Sequence, residues 1–416
     1  MAQRTAVDGG RRAWTLVVAL GLTETASYGV LYYAFTVFLA PMQAELGWSR
    51  SALTGAFSLA LLISGVAGLL VGRWLDRHGP HALMTLGSCL AVALALAWSQ
   101  ARNLVVFYLI WAALGVVMAA VLYEPAFWVV ARRFTRQRGR ALTVLTFIAG
   151  FASVIFVPLA GALVLAQGWR AALVTLAIIL AVVTIPAHAL VLRERRDGAP
   201  QPPLPQERGS KIDRAASFSP MGREEFNGTT HSKAALRSLA FWGIAAAFFL
   251  ITLSTSALAV HLVPLLQGRG YSQTFATTTV GVYALMALPG RLIFTPLGDR
   301  IHRNWVVASI FFIHALGMLA LLLAPGMVGI VGYVILSGMG FGAIMPARAS
   351  LVADVYGSTH YGQINSVVAF VSLVARSIGP IGMSLVYEYA GGYPVALAGL
   401  VATALLAMAA LLLADR

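Results

Sequence analysis

Two acidic and two basic residues lie inside long apolar stretches of the chain, at Glu24, Glu124, Arg291 and Arg376. A charge that faces lipid is strongly unfavourable, so each of these side chains is expected to face a protein interior or a water-filled cavity. A carboxyl group in such a place can take up and release a proton, and a guanidinium group can hold a carboxylate through two parallel hydrogen bonds. The four residues therefore indicate a buried site for an organic anion and a proton.

The elements that position these residues are membrane-spanning helices. Of the 416 residues, 59% are hydrophobic and only 11% are charged, which leaves too few polar groups to cover a soluble protein. A helix of about 20 apolar residues crosses the ~30 Å of hydrocarbon in a bilayer. We predict an all-α membrane protein with twelve such helices, near residues 14–39, 51–71, 82–99, 104–130, 141–165, 170–192, 239–266, 274–298, 304–323, 327–352, 363–387 and 393–414.

The distribution of basic residues predicts the orientation of the helices. Alternating the loops between two sides leaves four basic residues on one side, namely Arg50, Arg102, Arg170 and Arg269. Apart from the two buried arginines, all the others lie on the side that holds both termini. Basic loops stay in the cytoplasm, so we expect cytoplasmic termini in a multi-pass protein of the cell (inner) membrane. The net charge of +14 then reflects topology and contact with the lipid bilayer, and no nucleic-acid partner is expected.

The chain repeats itself at an offset of 223 residues. Asp76-Arg77 returns as Asp299-Arg300, and Gly47-Trp48-Ser49 returns as Gly270-Tyr271-Ser272. A repeat this long indicates a duplicated unit whose halves have the same orientation in the membrane. We therefore predict two six-helix bundles, at residues 1–192 and 238–416, joined by a polar cytoplasmic linker at residues 193–237.

The segment from Gly72 to Gly79, Gly-Arg-Trp-Leu-Asp-Arg-His-Gly, resembles the signature loop of the major facilitator superfamily. The resemblance implies the major facilitator fold and a carrier that works by alternating access, as a monomer. It also implies that Gly72, Asp76, Arg77 and Gly79 form a conformational latch. Asp299 and Arg300 would form a second, weaker latch, because Thr295 stands at the position that corresponds to Gly72.

A narrower resemblance is to the monocarboxylate transporter branch of that superfamily. It rests on Leu46-Gly47-Trp48-Ser49, on the basic run from Arg133 to Arg138, and on Gly290-Arg291. Some members of the branch carry an aspartate one turn before the arginine, where this chain has Ala287. The proton relay of the branch therefore cannot be carried over directly.

Depth and asymmetry single out the buried charges as site residues. At 1.5 Å per residue, Glu24 and Arg291 lie about 12 to 15 Å from the cytoplasmic edge, near the midplane. At the offset of 223 residues, Ala247 corresponds to Glu24, Gly68 to Arg291 and Ser153 to Arg376, so the charges are not repeated. Both acids belong to the first half and both bases to the second, so they can face each other across a cavity. The alternative is that they form two ion pairs that hold one conformation.

Aromatic residues accompany the acids. Glu24, Tyr28 and Tyr32 recur every four residues and share one helix face, and Tyr123 precedes Glu124 and Pro125. We predict that Arg291, Arg376, Tyr28, Tyr32 and Tyr123 contact the substrate, although an aromatic stripe can also be packing alone. Glu24 and Glu124 are predicted to exchange the proton. His261 and His314 are expected to be structural.

The function predicted from these residues is secondary active transport of a small monocarboxylate together with a proton. The alternative is proton-coupled efflux of a cationic or amphipathic compound, in which Glu24 holds the compound and the proton in turn. A third hypothesis is a transporter-like sensor with the linker as its output. No enzyme activity is expected, because no nucleophile with a base partner is present. With one cysteine, Cys89, and eight dispersed histidines, we also expect neither a metal nor another cofactor.

Overall fold

The computed structural model describes residues 11–134, 137–192, 238–297, 301–356 and 361–414, and in these ranges every regular element is a helix. Eleven of its helical stretches are long and apolar enough to cross a membrane. One of them, Arg140–Val191, has 52 residues, about twice the length that a bilayer requires. The chain reverses within it at Gly168, which has a φ of 76°. Arg170, just after the reversal, binds the carbonyl of Ala101 at the end of the helix Pro80–Gln100. The carbonyl of Ala189, near the end of the same stretch, is bound by His81 at the start of that helix. The described residues thus form twelve spans.

In chain order the spans are α1 (11–46), α2 (Arg50–His78), α3 (Pro80–Gln100), α4 (104–133), α5 (138–167), α6 (169–191), α7 (Leu239–Gly268), α8 (273–297), α9 (Arg303–Leu323), α10 (326–356), α11 (Tyr361–Ala390) and α12 (Tyr393–Leu413). Two of them contain a turn of π-helix, at Gly29–Tyr33 in α1 and at Tyr333–Ser337 in α10. Three others are interrupted, α4 at Leu122, α5 at Gly150 and Phe151, and α8 at Met286. Large apolar side chains such as Leu69, Val182 and Leu292 remain exposed on the outside, as a lipid-facing surface requires.

The predicted repeat is visible in the turns that join α1 to α2 and α7 to α8. Gly47 and Gly270 both have a positive φ, of 67° and 87°, which favours glycine. Ser49 and Ser272 follow them and cap the next helix, accepting hydrogen bonds from the backbone nitrogens of Ala52 (3.1 Å) and Phe275 (3.2 Å). Equal local geometry at equivalent positions shows that the two halves are copies of one unit.

Apolar packing shows how the two bundles meet. We call the face that carries residue 11 and the α2–α3 turn the proximal face, and the opposite face, with the α1–α2 and α7–α8 turns, the distal face. One large cluster of buried side chains runs through both bundles towards the distal face, and it includes Phe35, Trp111 and Leu262. Towards the proximal face the core divides into two clusters, one in each bundle. The bundles are therefore joined distally and separate proximally.

The prediction of twelve helices in two repeated six-helix bundles is confirmed. The helices extend a few residues past the apolar stretches, because they continue into the headgroup region. The linker at residues 193–237 and the pair Asp299-Arg300 lie outside the described residues, and the boundaries of the bundles stay predictions.

Candidate functional site

Glu24 is fully buried in the middle of α1, with an exposed fraction of 0%. Within the described ranges, neither of its carboxylate oxygens has a hydrogen-bond partner. An ionised carboxylate without water, partner or counter-ion is costly. At this position the group needs a proton or a cation, which makes it the strongest candidate for proton exchange.

The π turn at Gly29–Tyr33 lies directly after Glu24 and reshapes this part of α1. It forms where the helix packs against α5: a side chain on Gly29 would come within 2.2 Å of the Phe156 ring. Because a π turn inserts one residue, Tyr32 and Tyr33 both join the tyrosines next to Glu24, with their ring centroids 5.0 Å apart. Tyr33 is a site residue that the four-residue spacing of Glu24, Tyr28 and Tyr32 does not predict.

The tyrosines of α1 and α4 form one aromatic wall. The Tyr28 ring lies 4.8 Å from that of Tyr123 and 6.2 Å from that of Tyr32. Tyr123 also stacks on Phe127 at 5.0 Å, which extends the wall along α4. The wall contains the predicted residues Tyr28, Tyr32 and Tyr123, and it offers flat apolar surface with hydroxyl groups at its edge.

Glu124 lies at the break in α4, in the first turn of the segment Tyr123–Arg133. The break has a covalent cause, since Pro125 has no backbone N–H and cannot bond to the carbonyl of Val121. Glu124 is exposed and lies within electrostatic reach of Glu24. Like charges repel, so this pair of carboxyl groups accommodates one negative charge more easily than two.

Arg291 and Arg376 stand on the other bundle, on α8 and α11, and both act electrostatically on the hydroxyl groups of Tyr33 and Tyr123. Arg291 is exposed, and its Nε donates a hydrogen bond to the carbonyl of Gly342 on α10 (3.2 Å). Arg376 is half-buried. The two bases of the second bundle therefore lie within electrostatic reach of the tyrosine wall of the first bundle, and we call the space between them the cavity.

The four central charges are not paired with one another in this conformation. Within the ranges that the structure covers, neither Glu24 nor Glu124 forms an ion pair with Arg291 or Arg376. The alternative of two fixed ion pairs therefore does not describe this state. The guanidinium groups retain donors for an anionic ligand.

The predicted latch residues lie at the proximal end of the first bundle. The Oδ1 atom of Asp76 accepts a hydrogen bond from Nε1 of Trp128 (2.9 Å) and lies 3.6 Å from Nη2 of Arg132. Both partners are on α4, in the same bundle. Arg77 is exposed, Gly79 ends α2 with a φ of 75°, and Gly72 has open space beside it. Asp76 is thus bound within its own bundle, as expected where the two bundles are apart.

His314 lies in the core of the second bundle, where its Nδ1 is 2.7 Å from the hydroxyl oxygen of Ser337. His261 has a different setting, at the contact between the bundles. Among the described residues, no group of three or more histidine, cysteine or acidic side chains is placed to hold a metal ion.

Two repeated six-helix bundles, joined at one face and separated by a charged cavity at the other, define a membrane carrier. The model of the Major Facilitator Superfamily matches residues 22–380 and 270–416, and the chain belongs to this superfamily.

Similar proteins are known from bacteria. An uncharacterized MFS-type transporter, YcxA of Bacillus subtilis, is 23% identical over 394 residues, which cover 91% of this chain and 88% of that protein. The oxalate:formate antiporter of Oxalobacter formigenes is 24% identical and covers 91% and 86%. The crystal structure of a bacterial homolog of the human lysosomal transporter Spinster, inward-facing and unoccupied, superposes with a TM-score of 0.74 at 16% identity. That match covers 98% of this chain and 96% of the other, and it supports the fold.

Proposed function

We propose that the protein carries a small organic monocarboxylate across the cell membrane by alternating access, together with a proton. The observation that supports this most directly is the arrangement of the cavity. Two guanidinium groups that pair with neither acid stand opposite two carboxyl groups on the other bundle, one of them fully buried. Arg291 would hold the substrate carboxylate with its terminal nitrogens while its Nε stays on Gly342.

Charge balance gives the proton its role. With both acids ionised, the charges of Glu24, Glu124, Arg291 and Arg376 sum to zero. A bound monoanion leaves the cavity with one negative charge, and a proton on one carboxyl group restores neutrality. Glu24 is the acid best placed to take it, because it has no other partner in the described part of the chain.

The relatives and the tyrosine wall support an organic anion as substrate. The antiporter of Oxalobacter formigenes is named for two small carboxylates, oxalate and formate. The wall of Tyr28, Tyr32 and Tyr123 gives the body of a larger carboxylate a flat surface to pack against.

With the termini in the cytoplasm, as the basic loops indicate, the cavity opens to the cytoplasm in this conformation.

The test is uptake into proteoliposomes that contain the purified protein, with labelled formate, lactate and benzoate as probes and an imposed pH gradient. Acid outside is expected to drive uptake. Arg291→Gln is expected to abolish it, and Arg291→Lys to restore part of it, since lysine keeps the charge but not the two-pronged hydrogen bonding. Arg102→Gln, an exposed arginine in a distal loop, is the matched control. Undiminished flux in Arg291→Gln, or flux insensitive to the pH gradient, would contradict the proposal.

Efflux of a cationic or amphipathic compound is the second candidate. The same features favour it, because a buried carboxylate beside aromatic rings also suits a cation. One relative is named as a fujikurins efflux protein, 23% identical over 401 residues. In this case Glu24→Gln would abolish resistance to the compound while Arg291→Gln would leave it intact, which is the reverse of the pattern expected above.

A further inference from the structure

The contact between the bundles at the distal face contains a ring of hydrogen bonds with a histidine in it. The guanidinium group of Arg50, at the start of α2, bonds to the hydroxyl of Tyr393, at the start of α12. The Tyr393 hydroxyl lies 3.2 Å from Nδ1 of His261 on α7. The Nε2 atom of His261 lies 3.1 Å from the hydroxyl oxygen of Ser384 on α11, which lies 2.8 Å from that of Thr54 on α2. We call these five residues the distal ring.

The directions of the bonds in the distal ring follow from the groups that can only donate or only accept, together with a neutral imidazole on His261. The Arg50 guanidinium has donors alone, so the Tyr393 oxygen accepts from it. At the other end, Thr54 donates to the carbonyl of Arg50 (2.9 Å), so Ser384 donates to Thr54 and accepts from His261. His261 Nε2 also faces the carbonyl of Pro380 at 3.0 Å, which again requires a proton on Nε2.

With a proton on Nε2, the remaining nitrogen of a neutral His261, Nδ1, is an acceptor. The Tyr393 oxygen accepts from Arg50, so the hydroxyl proton is available for donation to an Nδ1 atom that carries no proton of its own. With His261 neutral, every contact in the ring joins one donor to one acceptor. The ring also crosses between the bundles twice, at Arg50–Tyr393 and at Thr54–Ser384.

We propose that Nδ1 of His261 is a proton-binding site at the distal face, separate from the cavity, and that a proton there opens the contact between the bundles. A second proton on the imidazole turns its acceptor into a donor that points at the Tyr393 oxygen. It also places a positive charge one hydroxyl group away from the Arg50 guanidinium. Both effects weaken the bond that Arg50 makes across the contact.

The other ionisable groups around the distal ring do not change the expectation that a proton on His261 weakens the contact between the bundles. On α11, the Tyr387 ring lies under the Arg50 guanidinium at 4.3 Å. Glu388, also on α11, is the nearby acid, and both its oxygens are bound at 2.7 Å by the backbone nitrogen and the hydroxyl of Ser51. Arg50 is the charged group that acts directly on His261.

Two further observations point to a function beyond packing. In the repeat, the position that corresponds to His261 is Phe38. Phe38 is a fully buried apolar residue in α1, so the fold itself does not require a histidine at this position. His261 faces the carbonyl of Pro380 on α11, and Pro380 lies one turn after the cavity residue Arg376 on the same helix. Since Pro380 has no N–H, the carbonyl of Arg376 lacks its helical partner and α11 can bend between the two sites.

The proposal is tested by the distance across the distal face in the purified full-length protein, without substrate. In a Cys89→Ser background, spin labels on Arg102→Cys and Met327→Cys, exposed sites on the two bundles, report that distance between pH 8 and pH 5.5. Acid is expected to increase the population with the longer distance, by at most about tenfold per pH unit because one proton is bound. His261→Gln, whose amide can donate and accept in the same way, is expected to stay closed across this range.

His314→Gln is the matched control, since His314 is also buried but lies within one bundle, and it should keep the pH response. Tyr393→Phe provides a second variant. Its distal face is expected to be open more often at pH 8, and the distance is expected to respond less to acid. A wild-type distance that does not depend on pH, or an unchanged response in His261→Gln or Tyr393→Phe, would overturn the proposal. Because no transport is measured, this result is independent of the substrate proposed above.

Discussion

The position of Arg291 depends on two glycines that let α8 and α10 touch. A methyl group on Gly342 would lie 2.1 Å from the carbonyl oxygen of Ala287, and one on Gly290 would lie 2.0 Å from that of Met339. Ordinary contact begins near 3.4 Å, so Gly342→Ala must push the two backbones more than 1 Å apart. Backbone cannot rotate away as a side chain can, and overpacking of this kind costs about 1–3 kcal/mol.

The consequence for transport follows from the hydrogen bond between Arg291 and Gly342. Separating the helices by more than 1 Å lengthens that bond from 3.2 Å beyond hydrogen-bond range and displaces the guanidinium group. We expect Gly342→Ala to lower the thermal stability of the purified protein and to raise the KM for the anion. Gly399→Ala on α12, where nothing lies within 4 Å, is the control and should be neutral or slightly stabilising.

The combination of the two substitutions provides the sharpest check. One separation of α8 from α10 relieves both clashes. The double variant Gly290→Ala/Gly342→Ala should therefore lose little more stability than the less stable of the two single variants. Additive losses, or a stable Gly342→Ala protein with unchanged KM, would refute the reasoning that this glycine contact positions Arg291.

Three further predictions concern the cavity and the latch. Glu24→Gln keeps the shape of the side chain but cannot release a proton, so net uptake should stop responding to a pH gradient while anion exchange continues in the same vesicles. Tyr123→Leu removes one ring of the aromatic wall and should raise the KM for benzoate about 2- to 10-fold, corresponding to about 0.5–1.5 kcal/mol, with less effect on formate. Asp76→Asn keeps the Trp128 bond but loses an exposed ion pair, so the free energy of unfolding should change by less than about 1 kcal/mol. Turnover should fall, because the predicted latch would act between conformations. An equal loss in stability and in turnover would assign Asp76 to the scaffold instead.

The helices could be predicted from the sequence because a bilayer requires long apolar stretches, and the repeat could be predicted because Gly47 and Gly270 serve the same turn. The π turn in α1 could not, since it arises where Gly29 meets Phe156 on α5, a contact between distant parts of the chain. Tyr33 was missed for the same reason. The role of Pro125 was visible in advance, because a missing N–H is a covalent property.

The distal contact shows most clearly what the sequence alone does not reveal. His261 looked structural because its partners, on α11 and α12, lie more than 100 residues away along the chain. Once those partners are known, the repeat becomes informative: the Thr54–Ser384 contact between α2 and α11 corresponds to Thr277–Gly161 between α8 and α5.

The two contacts are equivalent in the repeat but differ in chemistry. At the α5–α8 contact a glycine replaces the serine, and a side chain there would meet Thr277 at 2.8 Å, so this side is close-packed. At the α2–α11 contact the same position carries Ser384 and the histidine stands beside it. A close-packed contact has no charge state to change, whereas the distal ring does. The pH response of the distal face should therefore come from the α2–α11 side, and the α5–α8 side should act as the pivot.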